Sequence, residues 1–433
     1  MEFLDFLEKA PTAFHAVKEL SDVLDSFGFN KLQEGEKWNL KKGEKYYITR
    51  NNSSLLAFVV PNEIKDLSYN IVAAHTDSPT FKIKPNYTIN RNRYNELNTE
   101  IYGGPILNTW MDRPLNIAGR VIVRANDHTL KTMLVSFDKP MCIIPNCSIH
   151  YYRELNSGVK LNPQIDLLPI FSDNNVEEKD LLDLVADKLN IKRESIVSHD
   201  LYLALLDRGT LGGANDEFIM APQIDNLECS YATIRALTMS NFTDSSINIA
   251  VLFDNEEIGS NTRQGAASTM LADTLNRISK SFGLNEEEHL IALANSFIIS
   301  ADNAQGYHPN YPGKYDPTNA CYMNSGVVIK NAARGSYTTD AMSQAYFVEL
   351  CKKSNSKYQL NTNRSDISGG STLGAISLSN VSIHSVDIGL PQIAMHSALE
   401  TAGTFDYDEL IKVLKEFYNT HLSITEDGFL NYK

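Results

Sequence analysis

Apolar positions along the chain follow two layouts. Near the start, Val17, Leu20 and Leu24 recur at helical spacing and Phe27-Gly28-Phe29 closes the pattern, which predicts an amphipathic helix ending in a turn. Further on, short β-rich runs end in polar, reactive residues. Ile71-Val72-Ala73-Ala74 leads into His75-Thr76-Asp77, and the run 247–253 leads into Asp254-Asn255-Glu256-Glu257. The run 297–300 precedes Asp302, and 383–388 leads to Gly389-Leu390-Pro391 and then His396. Helical patterns at 229–239, 266–282 and 286–295 lie between them. A last helix from about Asp406 puts Leu410, Val413, Leu414 and Phe417 on one stripe, with Asp406 and Glu409 spaced like a capping pair. Such alternation predicts an α/β fold with parallel strands, whose ligands bind beyond the carboxyl ends of the strands.

From about 90 to 211 the rhythm changes to short alternating strands. The segments 120–123 and 132–135 flank an Ala125-Asn126-Asp127-His128 turn, a predicted hairpin, and Leu181, Leu182, Val185 and Leu189 form one helical patch. The expected organisation is a domain made of 1–89 and 212–433, interrupted by an inserted β-rich domain at 90–211. Two cores suit the length, since 433 residues exceed what one core usually serves.

Charge and cysteines narrow the function classes. With 39 basic and 53 acidic side chains the formal charge is −14, which argues against general affinity for nucleic acid or anionic membranes. No run approaches the length of a membrane span, and the opening MEFLDFLEKAPTAF lacks the basic and apolar regions of a signal peptide. Cys142 and Cys147 have no second pair to complete a zinc framework, so the five cysteines are expected to be reduced, buried thiols in a cytoplasmic protein.

The strand ends together offer His75, Asp77, Glu256, Glu257, Asp302 and His396, with Asp225 just before a helical pattern. Two imidazoles and three carboxylates can hold two divalent ions if one carboxylate bridges them, and zinc accepts that mixed nitrogen and oxygen set. Such a centre makes hydroxide available near neutral pH. Neighbouring acids on an extended end point in opposite directions, so one of Glu256 and Glu257 can ligate while the other serves as general base. His75 and Asp77 point the same way, which lets Asp77 fix the imidazole tautomer. Each element alone is commonplace; a complete ligand set at successive strand ends is not.

Several blocks resemble the aspartyl aminopeptidase family of dimetal metallopeptidases. They are His75-Thr76-Asp77-Ser78-Pro79, Gly213-Ala214-Asn215-Asp216-Glu217-Phe218 with Ala221-Pro222 and Asp225-Asn226-Leu227, and Asp254-Asn255-Glu256-Glu257-Ile258-Gly259-Ser260. Ser300-Ala301-Asp302, His308-Pro309-Asn310-Tyr311, Asp387-Ile388-Gly389-Leu390-Pro391-Gln392 and Ala394-Met395-His396-Ser397 extend the resemblance over most of the chain. It implies a zinc-peptidase-like α/β fold, a mixed sheet flanked by helices, interrupted by a β-rich dimerisation domain. Asp225 would bridge two divalent ions, zinc first with cobalt or manganese as alternatives. His75 and Asp302 would complete one position, Glu257 and His396 the other. Glu256 would be the general base, activating a hydroxide shared by the ions, and Asp77 would steer His75. The implied activity is hydrolysis of the N-terminal residue of peptides, with acidic preference, by dimers assembled into a tetrahedral dodecamer.

Two residues carry open alternatives. The family's histidine matching His150 reaches a neighbouring subunit's site, binding substrate and stabilising an oxyanion. Direct metal ligation is the alternative, and pattern alone suggests a structural histidine, as it does for His128 and His421. Arg334, in Ile329-Lys330-Asn331-Ala332-Ala333-Arg334-Gly335-Ser336-Tyr337, is either the cation that grips an acidic substrate side chain or a surface arginine. The loop Ser368-Gly369-Gly370-Ser371-Thr372 either offers backbone N–H groups to substrate or makes a tight turn. Alternatives for the whole are a dimetal aminopeptidase of broad or neutral specificity, a dimetal deacylase, and a catalytically idle shell or cargo protein of the same fold.

Overall fold

The computed structural model describes residues 2–64, 66–173, 179–241, 246–370 and 372–433. Its larger sheet has nine strands among the described residues. The middle four run parallel in the order Ser246–Phe253, Ser68–His75, Phe297–Ala301 and His384–Gly389. Outside them the sheet is mixed: Ser54–Val59 and Val327–Asn331 pair antiparallel to the parallel core. The parallel arrangement expected from strand and helix alternation is therefore continuous only across the four central strands, with one further parallel pair at each edge beyond the antiparallel neighbours.

Both faces of these strands are covered. Ile71, Ala73, Ile249, Val251 and Ile298 pack toward helix Met270–Ser281. Val72, Ala74, Ala250, Leu252 and Ile299 pack toward Ala13–Ser26, Ile224–Met239 and Thr404–Tyr418. Alternate side chains thus enter opposite cores, which is why the strands read as unbroken apolar runs. Each buried Leu or Ile stabilises the fold by about 1.5–3 kcal/mol before entropy is subtracted.

Some local expectations change. The pattern at 266–282 yields a helix only from Met270, because 260–269 loops back on itself, with Ala267 N–H donating to the Ser260 carbonyl at 3.3 Å. The last helix starts at Thr404, so Asp406 and Glu409 cap nothing. Their carboxylates accept from the backbones of Asn324, Gly326 and Lys357 and tie the helix to the sheet's far edge.

The second sheet has six antiparallel strands, in the order Thr129–Ser136, Leu115–Asn126, Ile196–Leu205, Thr80–Arg91, Tyr94–Tyr102 and Ile170–Asp173. It packs on helix Leu181–Leu189 through a separate core that includes Phe81, Ile117, Val121 and Leu182. Its strand Thr80–Arg91 straddles the boundary expected at 90, because the chain leaves the first sheet soon after Asp77.

A third sheet was not anticipated. Thr210–Gly212, Phe218–Ala221, Glu400–Gly403, Pro391–Ile393 and Ala304–Gln305 pair beside the carboxyl ends of the parallel strands. Its strands of two to four residues are too short to show a period. They lead into Asp225 and His396 and out of Asp302, so this small sheet positions three of the five expected ligands. No helix among the described residues is long and apolar enough to cross a membrane.

Candidate metal centre

His75 ends strand Ser68–His75, where its carbonyl accepts from Ser230 Oγ at 2.6 Å and the next N–H pairs with Phe253. Those bonds set the imidazole's direction. Its Nε2 stands 3.5 Å from Asp225 Oδ1 and 3.5 Å from Asp302 Oδ1. Across the cleft His396 Nε2 lies 3.6 Å from Asp225 Oδ2 and 3.4 Å from Glu257 Oε2. The two oxygens of Asp225 are thus divided between two imidazoles, each with a second carboxylate. Asp225 sits in a non-helical stretch at the start of Ile224–Met239, and its bond to Asn226 is cis.

The donors suit metal. His75, Asp225 and Glu257 each bring a ligand atom within 4.8 Å of the others. Asp225 Oδ1 and Glu257 Oε1 are buried without a hydrogen-bond partner, an arrangement that is costly unless a cation completes it. Burial, then Asp225, pushes the Glu257 carboxyl well above its ordinary range, and burial raises Glu256 to about 7. Burial works to raise Asp225 too, but the His396 and His75 imidazoles outweigh it and hold that carboxyl low. This crowd of carboxylates is what divalent ions neutralise.

Supporting groups hold the donors from behind. The Asp77 carboxylate accepts from the backbone N–H groups of Glu256 and Glu257 at 3.1 and 3.2 Å, and from Tyr102. His75 Nδ1 is closer to the Asp77 carbonyl, at 3.1 Å, than to its carboxylate, at 3.4 Å. The Glu pair lies on a single 3-10 turn, Glu256–Ile258, not an extended end, so the turn is what separates the two side chains. Glu400, which the sequence did not single out, is buried and accepts from the N–H groups of both Asp225 (3.0 Å) and His396 (2.7 Å). Only its register within a four-residue strand could have signalled it.

The donors open onto a cavity of about 140 Å³. Two larger surface clefts, each about 760 Å³, hold none of the ligand set. Lys330 lines the smaller cavity, buried, with Nζ donating to the Asn303 carbonyl at 2.9 Å and standing 3.8 Å from Asp302 Oδ2. Burial works to lower its pKa, but Asp302 together with Tyr337, Asp387 and Cys229 outweighs it and keeps the ammonium charged. Tyr337 lies beneath that ammonium, 5.5 Å to the ring centre. Arg334, the expected cation, is exposed and lines no part of the cavity, because it sits in the turn beyond strand Val327–Asn331.

His150 lies in an exposed turn with Nδ1 3.4 Å from Ser148 Oγ, and it does not line this chain's cavity. In the loop 368–372, Gly370 reaches the cavity and Thr372 Oγ1 donates to Asp387 at 2.5 Å; Ser371 lies outside the described residues. Four cysteines are buried as expected, whereas Cys147 is exposed in the turn that carries His150.

Residues 6–418 match the family model of the aminopeptidase I zinc metalloproteases, M18. A probable M18 family aminopeptidase 2 of Clostridium novyi is 47% identical over 424 residues, covering 96% of this chain and 98% of the relative. The aspartyl aminopeptidase of Dictyostelium discoideum is 35% identical, covering 96% and 95%. Among solved structures, that of the Ape4 and Nbr1 complex superposes with a TM-score of 0.93 at 33% identity, covering 96% of this chain and 85% of that one. The S. cerevisiae mApe1 dodecamer gives 0.83 at 27%, covering 96% and 95%.

Proposed function

Because the chain belongs to the M18 family of zinc metalloproteases and is a metal-dependent aminopeptidase, we propose that it removes acidic residues, Asp or Glu, from the N-termini of peptides. His75, Asp225 and Asp302 would hold one divalent ion, and Asp225, Glu257 and His396 a second, with zinc the first choice. The observation that carries this reading is the division of the Asp225 oxygens between two imidazoles. When bound, such ions polarise the scissile carbonyl and acidify water.

The chain's own residues do the rest. Glu256 lines the cavity beside the ligands, where it takes a proton from water and returns it to the leaving amine. Lys330 is placed to face an acidic side chain at the cavity wall, and the likeness to an aspartyl aminopeptidase supports the same preference. His150 and Arg334 have no place in this chain's own cavity. A role for His150 therefore requires a second subunit.

Self-association belongs to the same reading. The second sheet, with 1–89 and 212–433 around it, would mediate dimers and a tetrahedral dodecamer. Exposed apolar residues support this: Leu130 on that sheet, and Ile149, Ile165 and Tyr151, the last 91% exposed, in the segment that joins its strands Thr129–Ser136 and Ile170–Asp173. The likeness to the mApe1 dodecamer supports it as well. A cytoplasmic location accords with five free cysteines.

The test is a panel of Asp-, Glu- and Leu-aminoacyl chromogenic substrates, run after chelation with Zn²⁺, Co²⁺ or Mn²⁺ added back. Metal-dependent turnover of the acidic pair is the expected outcome. Faster turnover of Leu would establish the broader specificity instead.

A further inference from the structure

Strand Tyr94–Tyr102 belongs to the second sheet, yet its end reaches the metal centre of the same chain. The Tyr102 hydroxyl donates to Asp77 Oδ2 at 2.7 Å and accepts from Asn255 Nδ2 at 2.8 Å. Its ring stands edge-on to Tyr202 of the same sheet, 5.7 Å between centres, which holds the hydroxyl in place. Gly103 comes next with φ +73°, and a Cβ there would meet Glu257 Cβ at 3.1 Å. The Gly104 carbonyl lies 3.1 Å from His396 Nδ1, and Ile106 N–H donates to the His396 carbonyl at 2.8 Å.

Tyr102, Gly103, Gly104 and Ile106 therefore engage three arms of the site that leave the first sheet at different strand ends. The Asp77 arm holds the turn of Glu256 and Glu257 by two N–H bonds. A Gly104 carbonyl at Nδ1 commits that nitrogen to its proton and leaves the Nε2 lone pair facing Asp225 and Glu257. Left-handed backbone at Gly103 lets the chain pass Glu257 without a side chain between them.

We propose that Tyr102, with the Gly103-Gly104 turn, is a positioning device through which the second sheet sets the geometry of the catalytic centre in its own chain. On this view the sheet is part of the site as well as an assembly surface. The proposal rests on reading the cluster as the catalytic metal centre, and its test separates the two.

In the full-length zinc enzyme, Tyr102→Phe keeps the ring packing and removes only the hydroxyl. The expected result is a kcat about 10–100-fold lower, KM within about twofold of wild type, and faster zinc loss to a chelator. A hydroxyl that served folding alone would lower Tm and leave kcat and zinc release unchanged. Gly103→Ala should press on Glu257 and reduce the zinc content from two ions toward one. Tyr94→Phe, at the strand's exposed start, is the control expected to match wild type. Wild-type kcat and chelator resistance in Tyr102→Phe would overturn the proposal. If Glu256→Gln is inactive in the same series, the reading of the site stands without it; if Glu256→Gln is fully active, that reading falls first.

Discussion

The backbone N–H of Glu256 donates to Oδ1 of Asp77 at 3.1 Å, and the same oxygen stands 3.4 Å from Nδ1 of His75. One buried carboxylate therefore spans the imidazole proposed to ligate metal and the turn that carries the proposed base. Motion of either is transmitted to the other, and the Glu256 side chain is held against the ligands without bonding them itself.

Replacing Glu256 with Gln should leave that scaffold intact, since the N–H to Asp77 is unchanged. Elemental analysis is expected to find about two ions per chain, with kcat lower by roughly 10²–10⁴-fold, the range for an acid–base residue. Full activity in Glu256→Gln would remove Glu256 from the mechanism.

Asp225 faces both imidazoles, so Asp225→Asn should lose both ions, whereas Glu257→Gln should lose chiefly the ion on the His396 side. Titrating chelated variants with zinc by calorimetry counts the remaining sites. Because binding to the folded state stabilises it by mass action, chelation should lower the Tm of wild type and leave that of Asp225→Asn nearly unchanged.

Lys330 and Arg334 make opposite predictions. Lys330→Met should lower kcat/KM for Asp-aminoacyl substrate more than for Leu, by about 10²-fold if a buried charge pair is lost. Arg334→Ala, in an exposed turn, should change neither. Equal losses for both substrates in Lys330→Met would mean that Lys330 supports Asp302 and plays no part in selecting substrate.

Glu228 is buried, accepts from Asn303 at 2.9 Å through Oε2, and has no partner at Oε1. Burial raises its pKa from the ordinary 4.5 to about 8. Across that window the unfolded chain releases a proton that the folded chain keeps, so stability falls as pH rises and levels off above about 8. Glu228→Gln does not titrate. Its stability should pull ahead of wild type from about pH 5 to pH 8 and then keep a constant lead, on the order of 5 kcal/mol. A lead independent of pH would show that Glu228 is ionised in the fold.

His75, Glu256, Glu257 and Asp302 were legible in the sequence, because each stands at or just after an unbroken apolar run, the mark of a strand buried on both faces. Residues at that point of the chain lie at the strand's carboxyl end, which is a local property of covalent order. Lys330 was not legible: in Val327-Val328-Ile329-Lys330-Asn331 it reads as the polar end of a strand, and only Asp302 and Asn303, in the link after strand Phe297–Ala301, make it a cavity wall. Glu400 and Tyr102 were missed for the same reason. Each acts on backbone or carboxylate atoms far away in the chain, and neither stands in a pattern.

By itself, then, the sequence determined the strand ends, the donor side chains that stand there and the family, since periodicity and motif are written along the chain. Only the tertiary structure decided which oxygen of Asp225 meets which imidazole, which cation enters the cavity, and that the second sheet reaches the site. Those are distances between segments that meet only when two cores pack. The free energy of packing depends on every face at once, so no single stretch of residues encodes it.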